Sequence, residues 1–196
     1  TQVLAFSRKD HYANNDCIDQ RVNFLDELDD LVKNKIEDAN VAVIQELGLR
    51  DGVTHAEYKI RNGEPYLMEI AARGAGGGIS SIIIPKITGF DTAAFIISNA
   101  LGEATNLFQP HKQNIYAVLE FFDFPIGTVK SVNVKEQNVA EADFFSCTVK
   151  SGEIIAPILD SRDRKGYFIV TDDTQAGAIS RAAKIRESVE IIYERN

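Results

Sequence analysis

Tryptophan is absent from this chain, methionine occurs once at Met68, and there are two cysteines and five prolines in 196 residues. Cys17 and Cys147 stand alone, without the paired spacing of a metal-binding or disulfide framework, and read as free thiols of a reducing, cytoplasmic compartment. No apolar run reaches the roughly 20 residues that span a bilayer, and no signal peptide opens the chain, so no membrane partner is expected. Positive charge is also scarce: 21 Lys and Arg against 29 Asp and Glu give a net charge of −8. That balance disfavours non-specific nucleic-acid binding, which needs clustered cations against phosphate, and no nucleic-acid partner is expected. It leaves room for a nucleotide held through a metal, whose own charge then counts.

What remains is ordinary globular material, 44% hydrophobic and 26% charged, enough for one large or two small domains. The alternation over Thr1–Ser7 predicts a strand at the very start, which marks the chain as a piece of something longer. Lys9–Asp19, rich in Asn and Asp, reads as a loop, and Val22–Leu47 carries apolar residues at helical steps up to Gly48. Ile79–Ile87 with Pro85 predicts a short helix or turn, and Asp91 a helix N-cap for a segment running to about Leu101. Gly102–Lys112 is polar and marks the domain boundary. Beyond it, short strands are expected at 115–122, 128–134, 143–149, 153–158 and 167–170, then a helix over Thr174–Ser188 capped near Asp172 or Asp173, and a closing strand at Val189–Tyr193.

Chemistry concentrates between His55 and Gly78. Two short strands there flank Asn62-Gly63, and each carries a carboxylate, Glu57 and Glu69. A two-residue turn would put these acids on opposite faces, whereas a three-residue loop at 62–64 puts them directly across from each other. Carboxylates so placed repel unless a proton, a cationic side chain or a metal lies between them. Mg²⁺, which takes one or two protein carboxylates and substrate phosphates, suits such a pair; two solvated acids on an ordinary hairpin face are the other reading. Arg73 is placed to meet a phosphate or carboxylate, or is a strand-end surface residue. Gly74, Gly76, Gly77 and Gly78 allow backbone N–H groups to approach an anion, although their spacing is neither a Walker loop nor a dinucleotide fingerprint. His55 shares a strand face with Glu57 and is a candidate substrate contact or support for a metal site. In the charged turn Asp160–Arg164, Arg162 or Arg164 could reach a cleft between domains, or form local ion pairs of little energetic weight.

Taken together, Gly52-Val53-Thr54-His55-Ala56-Glu57, then Tyr66-Leu67-Met68-Glu69-Ile70-Ala71-Ala72-Arg73, then Gly76–Gly78 resemble the C-terminal portion of ATP-grasp enzymes. The Glu-Ile-Ala-Ala-Arg form resembles the L-amino-acid (dipeptide) ligases within that superfamily. Many other members place an Asn two residues after the second acid; Ala71 stands there instead, which tilts the resemblance away from the carbamoyl-phosphate synthase and biotin carboxylase type. The resemblance implies an α+β architecture, with residues 1–112 as the later half of an ATP-grasp domain, an antiparallel sheet with packed helices, and 113–196 as a small C-terminal α+β domain.

It also implies an enzyme, a Mg²⁺-dependent (or Mn²⁺-dependent) ligase joining a carboxylate such as an amino acid to an amine through an acyl phosphate, with ATP as co-substrate. Glu57 and Glu69 would hold the metal and ATP; Arg73, Gly76 and Gly77 would be catalytic; His55, Arg73 and Gly78 would bind substrate. The lysines and lid with which this family grips ATP precede these motifs. The chain alone is therefore expected to bind ATP weakly and to be inactive without the missing N-terminal part of the same protein, its expected partner beside the small molecules. A homodimer is possible on this reading. The alternatives are a purine-pathway or carbamoyl-phosphate-synthase-like ATP-grasp ligase, or a non-catalytic binding module with a vestigial metal site.

Overall fold

A computed structural model describes residues 1–25, 28–103, 105, 109–111 and 113–194. Positions 104, 106–108 and 112 of the expected linker, and 26 and 27 of the expected first helix, lie outside them. The chain forms two compact units, Thr1–Phe6 with Asp26–Gln113, and Ser7–Leu25 with Asn114–Asn196.

In the first unit, α1 (Asp30–Glu46) is capped by Asp29, whose side chain accepts from the Leu31 amide, and ends at Gly48 with φ 66°. The hairpin β3 (His55–Arg61) and β4 (Glu64–Ala71) follows and packs against α1. A single π-helical turn (Ile79–Ile83) then runs into α2 (Ile84–Thr88) and α3 (Thr92–Ala100), the latter capped by Asp91. Two of these features answer sequence expectations directly: the short helix around Pro85 and the Asp91 cap.

The second unit is built on a five-stranded antiparallel sheet. Its strands are β1 (Arg8–Tyr12), β2 (Asn15–Phe24), β5 (Tyr116–Phe121), β9 (Gly166–Asp172) and β7 (Phe144–Cys147), in the spatial order β1-β2-β5-β9-β7. A three-stranded sheet orders β10 (Val189–Tyr193), β6 (Gly127–Val134) and β8 (Ile154–Ile155). The helices are α4 (Glu136–Val139) and α5 (Gln175–Arg186). Val118, Phe122, Phe168, Val170, Ala178, Ala182, Ile185, Val189 and Leu25 form one buried cluster between the large sheet and α5. Phe122 stacks on Phe124 at 5.1 Å and meets Phe168 at 5.4 Å, so aromatic packing adds to simple burial.

Three expectations are corrected at the N-terminus. Thr1–Ser7 is not a strand; the first strand begins at Arg8. Lys9–Asp19 is not a loop but most of a hairpin, whose polar residues pair across β1 and β2. The expected helix over Val22–Leu47 joins two different elements. Val22 and Phe24 are buried in β2, and among the described residues of that range only 30–46 are helical. Val22, Leu25 and Leu28 mimic a helical stripe because the apolar end of a strand abuts an amphipathic helix. The consequence is topological: Ser7–Leu25, placed by the linear division with the first domain, pairs with β5 of the second unit. At the far end, Thr174 rather than Asp172 or Asp173 caps α5, accepting from the Gly177 amide, while Asp172 accepts from the Thr174 amide and hydroxyl.

Tyr12 is 1% exposed, and its hydroxyl donates to the Phe122 carbonyl at 3.1 Å, tying β1 to the segment after β5. Burial pushes the phenol up to about 12. With the folded value above the ordinary 10, the folded state holds its proton longer than the unfolded state. Stability is therefore full below about pH 10 and declines as pH rises toward 12. Tyr12→Phe is expected to cost about 1 kcal/mol at neutral pH. It should also flatten the alkaline decline, measured as denaturation midpoint against pH; an unchanged alkaline limb would contradict this.

Candidate metal and phosphate site

The hairpin turn is the two-residue Asn62-Gly63, with φ of 54° and 74°, the left-handed pair of a type I′ turn. Pairing runs in step from Arg61↔Glu64 through Tyr58↔Leu67. One residue is then skipped, and Glu57 pairs with Glu69. The expected three-residue loop is thus corrected. The extra residue is a bulge at Met68, and the outcome for the acids is the same. Directly opposed residues of an antiparallel pair have Cβ atoms roughly 4.5–5.5 Å apart, close enough for both carboxylates to reach one cation.

Glu57 is half-buried, while Glu69, expected to be partly buried, is exposed because β4 shows its surroundings to solvent: Tyr66, Leu67 and Met68 are exposed too. His55 Nε2 lies 3.9 Å from Glu57 Oε1, the two residues standing two apart on one strand face. Among the described residues no group of three or more His, Cys, Asp and Glu is arranged to hold a metal. His55 is therefore beside the acids without completing a three-ligand cluster. Two hard oxygen donors on one face, open to solvent and to substrate phosphates, nevertheless fit the way Mg²⁺ is held.

Arg73 and the glycines follow β4 at once. The guanidinium is exposed and turned back on its own loop, donating from Nη1 to the Gly74 carbonyl at 2.9 Å. Gly77 and Gly78 have φ of 62° and 81°, conformations that L side chains resist, and Gly76 has open space where a Cβ would stand. Gly74 differs. A Cβ there would lie 2.5 Å from Ser80 Oγ, so close packing of the loop on the following turn requires this glycine. The Gly78 carbonyl accepts from the Ile82 and Ile83 amides, which start the π-helical turn, a feature frequent at functional sites.

Sequence reasoning missed how α1 engages the hairpin. Lys35 Nζ donates to the Gly63 carbonyl at 3.1 Å and pairs with Glu64, and the Tyr58 hydroxyl meets Asn40 Oδ1 at 3.3 Å. Lys35 and Asn40 flank the apolar residues Ile36 and Ala39, and that adjacency was the available signal. In the second unit, Arg162 pairs with Asp160 on the surface at 2.7 Å. Arg164 lies 3.8 Å over the Phe121 ring and donates to the Asp19 carbonyl at 2.8 Å. Both arginines of that charged turn thus have partners within their own unit.

Residues 120–194 match the family model for L-amino acid ligase C-terminal domain 2. No curated protein matches the chain. Among solved structures, phosphoribosylglycinamide synthetase from Anaerococcus prevotii is similar with a TM-score of 0.80 and 17% identity, over 96% of this chain and 49% of that one. L-amino acid ligase from Bacillus licheniformis gives 0.79 and 19%, over 98% and 50%. The biotin carboxylase domain of Hydrogenobacter thermophilus 2-oxoglutarate carboxylase, solved with MgADP and bicarbonate, gives 0.62 and 20%, over 96% and 42%. The chain spans about half the length of the first two. Its fold is that of the C-terminal portion of ATP-grasp structures, and its residues 120–194 are similar to the L-amino acid ligase C-terminal domain 2.

Proposed function

We propose that this chain is the C-terminal part of an ATP-dependent carboxylate–amine ligase acting on amino acids, with Glu57 and Glu69 as the protein ligands of Mg²⁺ or Mn²⁺. The observation that carries the proposal is the bulged register, which sets two like charges face to face where an unbulged hairpin would separate them. A hairpin has no reason to oppose two carboxylates unless something cationic joins them. When bound, the metal supplies charge neutralisation at the ATP phosphates.

The remaining roles fall to the chain's own groups. Arg73, released from the Gly74 carbonyl, reaches an anionic phosphoryl oxygen, and N–H groups of Gly76–Gly78 approach the same charge. His55, on the Glu57 face, contacts the substrate. In the proposed reaction the substrate carboxylate attacks the γ-phosphorus of ATP, giving an acyl phosphate and ADP. The amine then attacks the acyl carbon and expels phosphate, losing its proton to solvent or a base.

The match over residues 120–194 favours amino-acid substrates. A second reading, a purine-pathway ligase, draws on the similarity to phosphoribosylglycinamide synthetase. Both are tested in the full-length protein by following ADP formation with pairs of L-amino acids and, separately, with glycine plus a phosphoribosylamine. Turnover with amino-acid pairs alone supports the first reading. Turnover only with the sugar-phosphate amine replaces it with the second.

A further inference from the structure

We infer that Gly74 and Ser80 are positioning residues for Arg73: a close glycine-on-serine contact seats the loop that carries the guanidinium. The inference rests on the ligase reading above and adds how its basic residue is held. The backbone at Gly74 does not itself call for glycine, because its φ lies outside the left-handed region that L side chains resist. Space is what bars a side chain. A Cβ there would stand 2.5 Å from Ser80 Oγ and 3.0 Å from Ser80 Cβ, against about 3.5–4.0 Å for carbon atoms in contact. Turning the Ser80 hydroxyl away relieves only the first overlap. Gly76 shows the contrast, since a Cβ at that position meets nothing within 4 Å.

Ser80 is the fixed side of this contact. It belongs to the π-helical turn, whose Ile79 amide donates to the Gly76 carbonyl at 3.0 Å and whose Ile83 is 0% exposed. That turn runs straight into α2, where Ile84 and Ile87 are buried. Displacing Ser80 would pull these side chains out of close packing, whereas Arg73 is exposed and Gly74 only half-buried. A side chain at position 74 therefore moves the loop and not the turn. Arg73 follows for two reasons: its backbone adjoins Gly74, and its Nη1 donates to the Gly74 carbonyl at 2.9 Å. One contact thus sets both where the guanidinium rests and where it departs from toward an anion.

Turnover and the guanidinium itself are the two readouts. Gly74→Ala is expected to lower kcat for ADP formation by the full-length protein about 10- to 100-fold, the scale of a misplacement near 1 Å. Mn²⁺ affinity should stay unchanged, because Glu57 and Glu69 precede the loop. Adding Ser80→Gly removes both overlapping atoms and should restore turnover; adding Ser80→Ala, which keeps the Cβ, should restore it only in part. In an Arg73→Ala background, Gly74→Ala should cost nothing further, since nothing is left for it to misplace. In NMR spectra of the labelled chain, the Arg73 guanidinium signal should shift in Gly74→Ala and return in the Gly74→Ala/Ser80→Gly pair. Wild-type turnover in Gly74→Ala overturns the inference, as does an equal fold-loss in the Arg73→Ala background. So does a folded pair as impaired as the single variant, and the pair decides the case if Gly74→Ala alone does not fold. A guanidinium signal that follows the contact, in a wild-type protein forming no ADP with either substrate set, would keep the positioning and remove the ligase reading.

Discussion

On the proposed function, Glu57→Gln and Glu69→Gln are each expected to lower ADP formation by the full-length protein by roughly 100- to 1000-fold while leaving the chain folded. Glutamine keeps the shape of each side chain and removes the charge that draws the cation. Lewis-acid stabilisation of a phosphoryl transfer is worth several kcal/mol, and each 1.36 kcal/mol is tenfold in rate. Stability should move in the opposite direction. Without metal, the opposed acids repel across the strands. Neutralising one is therefore expected to stabilise the metal-free protein by a few tenths of a kcal/mol. Steady-state ADP release and denaturant midpoints measure the two effects. Activity and stability falling together would mark the acids as structural, and ADP release unaffected by both changes would remove them from catalysis.

The second large effect lies in the second unit. Glu120 is 1% exposed, directly across from Arg21 on the neighbouring strand, and its carboxylate is shared between Arg21 at 2.8 Å and Arg186 at the end of α5. The arginines are 32% and 42% exposed, so the carboxylate bears most of the desolvation. Changing both Arg21 and Arg186 to Met leaves that charge buried and unpaired. A loss of about 3–5 kcal/mol is expected from denaturant unfolding. Adding Glu120→Leu should recover most of it, because an apolar trio of similar volume needs no charge compensation. A double variant that loses less than about 1 kcal/mol would show that the contacts behave as surface ion pairs.

Legibility from sequence differed sharply between the two ends of the chain. The strands from Tyr116 onward are short apolar runs set off by Gly, Pro and Asp, and nearly all fell where the pattern placed them; α4, a four-residue helix, was too short to leave a period. At the N-terminus the pattern misled. The paired strands β1 and β2 are rich in Asn and Asp, whose preference for turns hid a hairpin that tertiary pairing with β5 completes. At the candidate site, the facing of Glu57 and Glu69 was legible but the backbone device behind it was not. The opposed acids were foreseen from a longer loop, whereas the chain uses the tight Asn-Gly turn plus a bulge at exposed Met68. A one-residue bulge in an exposed strand leaves no mark on hydrophobic periodicity, and neither do the contacts of Lys35 and Asn40 on α1 with the hairpin.

The proposed sharing of one divalent ion by Glu57 and Glu69 is read most directly by paramagnetic broadening with substoichiometric Mn²⁺. Amide signals around residues 57 and 69 should vanish first and together, and recover when excess Mg²⁺ displaces the probe. Broadening that begins elsewhere on this acidic chain, or that touches one strand and spares the other, would contradict it.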